Sequence, residues 1–244
     1  MNIKQKLTCA FVAIACLPIL LVAAVVIYNL RSQAEATFLD GSSREIRQIE
    51  NAMNMFFKGI SESVDYVAAL PPLVAAPQLK NYSSADADRL PLPEANRELE
   101  DLFDLFAKAH PTTAYLSYGR VDGGYATWPR DPGLKNYDPR VRPWYKKAME
   151  APGQTLRTAA YYWAPDDAVL IGTVRTVNDA RGNLAGVVGL DVSLKQLTEL
   201  VRQIKLGETG YLMLVEANGN VLVDPSNADH NFKSLADLGG EYAR

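Results

Sequence analysis

AVLIGTVRTVNDARGNLAGVVGLDVSL, residues 168–194, sets two runs rich in Val, Ile, Leu and Thr on either side of Asp179-Ala180-Arg181-Gly182-Asn183. Apolar, β-branched runs joined by a short Gly-containing turn predict two antiparallel strands, AVLIGTVRTV and LAGVVGLDVSL. Upstream, LRTAAYYW (156–163) predicts a third strand, and TAYLSYGR (113–120) and YATW (125–128) around Asp122-Gly123-Gly124 predict a hairpin. The connection between them is NYDPRVRPWYKKA (136–148), dense in rings, arginine and proline. Together these segments predict an antiparallel sheet of about five strands with helices on one side, an α+β fold.

The helices lie before the strands. PEANRELEDLFDLFAKAHP (93–111) places Leu99, Leu102, Phe103 and Phe106 on one face, acidic residues toward its amino end and Pro111 beyond its carboxyl end. Pro71-Pro72 and the prolines up to Pro93 predict a loop. No proline occurs from Ser32 to Leu70, and Ile46, Ile49, Met53, Phe56, Ile60, Val64 and Val67 recur at steps of three and four. That predicts a helix over 30–70, whose proline-free stretch of about 38 residues from Ser32 to Leu70 would be roughly 57 Å long. Such a length suits a spine for the globular part and, near its start, the seam of a homodimer.

Leu7 to Tyr28 contains no charged residue, and its length of about 22 residues matches the roughly 20 that cross a bilayer as a helix. Lys4 and Lys6 precede it, which predicts a cytoplasmic end over 1–6, a transmembrane helix over 7–29, and export of the chain beyond the span. The chain is thus expected in the inner (cell) membrane with its bulk in the periplasm or outside. A cleaved secretory signal has the same basic start but a shorter apolar centre, and exports the remainder equally. Past the sheet, Lys195 to Lys205 predicts a short helix closing a first module over 71–205. GETGYLMLVEANGNVLVDP then gives strand, Asn218-Gly219 turn and strand, the start of a second module over 206–244 that is incomplete at Arg244.

Composition excludes some functions. With 244 residues, 48% of them hydrophobic, the chain builds an ordered core. A net charge of -3 and a pI near 5.5 supply no basic face for nucleic acid. Cys9 and Cys16 both lie in the apolar run, His110 and His230 are far apart, and no cluster has metal-ligand spacing. Asp166-Asp167 reads as a solvated turn, and no nucleophile elbow, phosphate loop or zinc-protease motif occurs. No catalytic residue, metal or cofactor is expected.

Chemistry concentrates in the 136–148 stretch. Pro143 suits a first helical turn, so its amide donors and Arg142 predict an anion site. The surrounding rings exclude water and give a ligand an apolar surface, so the stretch reads as the lid of a small-molecule pocket over the sheet. The structural alternative has Trp144 filling core and Arg140 and Arg142 satisfying loop carbonyls. Asp191 ends the apolar run GVVGL, where an unpaired carboxylate is costly and a ligand ammonium is a fitting partner. A backbone amide, a lysine, or a capping role near Leu194 are its alternatives.

The apolar anchor, the long helix, YDPRVRPWYKKA, GVVGLDVSL and GETGYLMLVEANGNVLVDP together resemble the double Cache sensing domain of bacterial chemoreceptors, sensor kinases and related receptors. The resemblance implies a PAS-like sheet module that binds a small molecule, with a second, membrane-proximal module after it. It implies a binding protein, with a methyl-accepting chemotaxis output as the first expectation and a histidine kinase or cyclic-dinucleotide enzyme as alternatives. A membrane-anchored exported hydrolase and a purely dimerising scaffold are readings of other classes. In the amino-acid-binding subset, the pattern implies Tyr137, Arg142 and Trp144 on the ligand carboxylate, and Tyr145 and Asp191 on its amino end. Tyr161 matches the first residue of that subset's Tyr-x-Asp pair, but Trp163 stands where the Asp is expected. A ring there stacks on a flat or cationic ligand, so the expected ligand is an amino acid or a related small nitrogen-bearing anion. Tyr118 and Trp128 on the hairpin are expected as further walls.

Overall fold

The computed structural model describes residues 3–75, 77–163, 168–195, 199 and 210–239. Two compact units divide the chain, Met1–Ala52 and Met53–Arg244.

Helix α1, Ile3–Ala68, runs through the first unit and into the second as one element of 66 residues. It continues past Pro18 and has no break between the apolar run and the helix expected after it. Near its start this helix is long and apolar enough to cross a membrane. Large side chains there, among them Leu17, Ile19, Leu20 and Val22, are exposed, which suits acyl chains and not water.

In the second unit, the stripe on α1 turns inward: Ile60, Val64 and Val67 are buried. Pro71-Pro72 does not open a loop directly, as the sequence predicts. It starts the one-turn helix α2, Pro71–Val74, because proline's fixed φ fits the first helical position. Helix α3, Glu94–Ala109, buries Leu99, Phe103 and Phe106. Strands β1 (Thr113–Arg120) and β2 (Tyr125–Trp128) form the hairpin, helix α4 (Pro143–Met149) comes next, and the sheet is completed by β3 (Leu156–Arg157), β4 (Tyr161–Trp163), β5 (Ala168–Asn178) and β6 (Leu184–Ser193). The six strands run antiparallel in the order β2-β1-β6-β5-β3, with β4 also paired to β5. The expected single strand LRTAAYYW is therefore two, and the sheet has six strands.

Helices cover both faces of this sheet, which corrects the expectation of helices on one side. Alternation separates the faces. Leu116, Tyr118, Val188 and Leu190 join α1 and α3 in one apolar core. Tyr125, Tyr137, Trp144, Val174 and Val187 form a second core under α4 on the other face. Strands β7 (Leu214–Val215) and β8 (Val221–Val223) form a separate hairpin, and α5, Leu235–Leu238, comes after it. The β7–β8 turn uses Gly219 at φ 87° and the β5–β6 turn uses Gly182 at φ 84°, a region open to glycine. The expected helix Lys195–Lys205 lies mostly outside the described residues, as do Asp166 and Asp167.

Candidate functional site

The α4 face of the sheet carries a cavity of about 580 Å³. Its roof is the 136–148 stretch. Pro139–Val141 forms a 3-10 turn whose carbonyl takes the Arg142 N–H, and Arg142 caps α4 in an extended conformation. Asp138 accepts hydrogen bonds from the backbone N–H and guanidinium of Arg140, which hold its carboxyl below the usual range. Arg140 is thereby spent on the loop, chiefly on the Asp138 carboxylate and also on the Val121 carbonyl at 3.3 Å, and Arg142 is left for the cavity.

The Arg142 guanidinium stacks over the Tyr137 ring, 4.4 Å from its centroid, and lines the cavity. Its Nε is buried with no hydrogen-bond partner among the described residues. The Trp144 indole donates to the Tyr137 hydroxyl at 3.2 Å, and the Tyr137 ring lies 4.7 Å from that of Tyr125. Burial pushes the Tyr137 hydroxyl above its ordinary pKa and holds Tyr125 far above it, so both stay neutral donors.

The floor carries the opposite charge. Asp191 lies on β6 beside Gly172 of β5 and Tyr115 of β1, its Cα partners. A side chain at Gly172 would place its Cβ 2.7 Å from Asp191 Oδ1, so the glycine makes room for the carboxylate. The Tyr161 hydroxyl donates to Asp191 Oδ1 at 2.8 Å. Burial dominates and raises the Asp191 carboxyl to about 6, with the Tyr161 bond pulling the other way. No lysine or arginine pairs with it among the described residues. The Ser193 hydroxyl, and not Asp191, takes the Lys195 N–H near Leu194.

Of the nine expected site residues, the cavity gathers Tyr137, Arg142, Trp144, Tyr161, Trp163 and Asp191. Tyr145, Tyr118 and Trp128 lie outside its lining. Tyr145 packs edge-on against Trp144 at 5.7 Å, and the charges acting on its hydroxyl are Arg140, Asp138 and Asp122. Tyr118 and Trp128 fall on the helix face by strand alternation: Tyr118 is fully buried and donates to the Leu73 carbonyl, and the Trp128 indole donates to Asp104 of α3. The same alternation puts Tyr115, Ser117 and Tyr125 in the cavity, three residues that sequence reading missed. Thr158 was missed too; its hydroxyl accepts the Gly172 N–H at 2.9 Å.

A cavity between a PAS-like antiparallel sheet and a ring-rich lid, with a cation at one place and a carboxylate at another, is the build of a sensor domain for small molecules. Over residues 29–242 the sequence matches the family model of the Cache domain, dCache_1, and the chain belongs to that family. The methyl-accepting chemotaxis protein McpG of Pseudomonas putida is 40% identical over 126 residues, 52% of this chain and 19% of its own. The chain spans about a fifth to a third of the length of the curated relatives it matches. Two solved ligand-binding domains share the fold. That of the Pseudomonas fluorescens chemoreceptor CtaA, in complex with L-serine, has 26% identity and a TM-score of 0.56 over 76% of this chain and 71% of its own. That of the Pseudomonas aeruginosa amino acid chemoreceptor PctB, in complex with L-Arg, has 27% identity and a TM-score of 0.55 over 75% and 68%.

Proposed function

We propose that this chain is the ligand-sensing part of a transmembrane chemoreceptor and that its cavity binds an amino acid or a related small nitrogen-bearing anion. The observation that carries the reading is a guanidinium and a buried carboxylate that line one cavity without pairing with each other; Lys146 and the Lys147–Glu150 ion pair line it as well. Among the described residues, the buried Arg142 Nε has no hydrogen-bond partner and the buried Asp191 has no paired cation. Each is costly alone, and a molecule bearing both a carboxylate and a cationic nitrogen relieves both at once. CtaA with L-serine and PctB with L-Arg support the same class of ligand. Tyr137 and Trp144 would frame the carboxylate end, and Asp191 with Tyr161 the nitrogen.

Residues 71–205 would form the membrane-distal, ligand-binding module and 206–244 the start of a proximal one. Residues 7–29 would span the inner membrane, leaving 1–6 in the cytoplasm and the sensing part outside, with a homodimer formed along α1. The chain would bind and signal, not catalyse, and the names of its relatives favour a chemotaxis output over a kinase or hydrolase. The test is a thermal-shift screen of the whole chain in detergent against amino acids, amines, purines and organic acids. A ligand at a hundredfold excess over its Kd stabilises by about 2.7 kcal/mol. The expected outcome is a rise in Tm with an amino acid or close relative, lost in both Arg142→Ala and Asp191→Ala. Stabilisation that survives both substitutions refutes the assignment of the cavity.

A further inference from the structure

The nitrogen end of the cavity is walled by rings. Tyr115 stands opposite Asp191 across the β1–β6 ladder, so the two side chains rise side by side from one face. Trp163 meets the Tyr115 ring edge-on, with centroids 5.9 Å apart and planes at 69°. Its indole N–H is taken by the Tyr115 hydroxyl at 3.1 Å. Tyr161 completes the group through its bond to Asp191 Oδ1 at 2.8 Å. All four side chains line the same cavity.

A primary ammonium carries three N–H donors and seeks three acceptors. Here the acceptors at that end are already engaged: Asp191 Oδ1 takes the Tyr161 hydroxyl, the Tyr115 hydroxyl takes the Trp163 indole, the Thr158 hydroxyl takes the Gly172 N–H, and the Ser117 and Tyr125 hydroxyls bond each other. An ammonium whose charge is spread over methyl groups needs no acceptors; it gains from electron-rich ring faces and from a desolvated counter-ion nearby. The indole N–H, which would repel such a cation, is engaged by the Tyr115 hydroxyl. The geometry points to a cage of Tyr115, Tyr161 and Trp163, with Asp191 as counter-ion, that selects N-methylated and quaternary ammonium carboxylates over their less methylated parent amino acids. This rests on the proposal that the cavity takes a carboxylate and a cationic nitrogen together.

Glycine, N-methylglycine, N,N-dimethylglycine and glycine betaine differ only in methyl count, as do L-proline and its N,N-dimethyl betaine. Calorimetric titration of the whole chain in detergent at pH 7.5 is expected to show affinity rising along each series, with the betaines about tenfold tighter than the parent amino acids. Trp163→Asp, which removes a ring and adds an acceptor, reverses the order. Trp163→Phe keeps it and controls for folding. Equal or tighter binding of glycine and L-proline by the native chain overturns the cage and leaves the parent proposal standing, and so does an order unchanged in Trp163→Asp. If no compound of either series binds while other amino acids stabilise the chain, the cage falls alone. If nothing bearing both groups binds, both proposals fall.

Discussion

Asp191 has a function and a stability that pull in opposite directions. Its carboxyl titrates at about 6 in the folded chain, against roughly 3.9 when unfolded. Between those values the native state keeps a proton that the unfolded state has lost, so stability falls as pH rises from about 4 to about 6. Above that window the whole cost is present, about 3 kcal/mol for a shift of two pH units. A ligand cation offsets it, so affinity is expected to rise over the same window and then level off. Asp191→Asn, whose amide oxygen still accepts from Tyr161, is expected to lose the ligand yet raise the Tm of the free chain at pH 7.5, with little change at pH 4. A variant that melts below the native chain at pH 7.5 contradicts this account. Gly172→Ala separates the two roles differently. Its new methyl meets the Asp191 carboxylate and the Thr158 side chain, which can rotate, so the fold is kept while the counter-ion is displaced. Affinity is expected to drop by about tenfold or more with Tm within a few degrees, since one misdirected charged contact is worth roughly 1.5–3 kcal/mol.

At the scale of elements, Asn96 of α3 shows how the helix holds the hairpin that serves the site. Its buried amide donates to the Tyr125 carbonyl at 2.7 Å and accepts from the Lys80 N–H at 2.8 Å. The Tyr125 hydroxyl in turn meets Ser117 at 2.8 Å inside the second core. Asn96→Leu strands two buried backbone groups and is expected to cost about 2–4 kcal/mol in denaturant unfolding, whereas Arg97→Ala on the exposed side stays within about 0.5 kcal/mol. A loss below about 1 kcal/mol would place the tie elsewhere. The period of each element was readable without a structure. TAYLSYGR and YATW are β1 and β2, and the periodic stretch after Pro93 is α3, because each run is long enough to repeat its pattern. What a period does not carry is which parity meets which layer. Tyr118 and Tyr115 look alike in sequence, and only the packing of α1 and α3 sends the first into the core and leaves the second for the cavity. The break in LRTAAYYW is likewise a tertiary effect: Thr158 leaves the ladder to exchange hydrogen bonds with Gly172, and nothing local marks it. Arg142 and Asp191 were legible because a charge bounded by apolar residues has few outlets.

Across the whole molecule, the cavity and the β7–β8 hairpin share one segment. Thr158 to Tyr161 faces the cavity, and from the same segment the Ala160 N–H donates to Glu216 Oε1 at 3.0 Å. Glu216 is fixed within the hairpin by its own N–H to the Asn220 carbonyl at 2.8 Å and by the Asn218 amide at 3.1 Å on Oε2. A ligand that engages Tyr161 and Asp191 is therefore expected to order a strand that is bonded to the hairpin, and to couple cavity and hairpin through that order even without a large displacement. Hydrogen exchange of the whole chain, with and without the tightest ligand of the thermal-shift series, measures the link. Native chain is expected to gain protection over both 156–163 and 214–223. Glu216→Ala is expected to keep the gain over 156–163 and keep affinity within about threefold, because the carboxylate lies outside the cavity lining and a single hydrogen bond is worth about 1 kcal/mol. Over 214–223 the gain should vanish. Equal protection of the hairpin in both chains would mean that the signal leaves the pocket by another route, with α1, which packs on the far face of the sheet through Ile60, Val64 and Val67, the next element to probe.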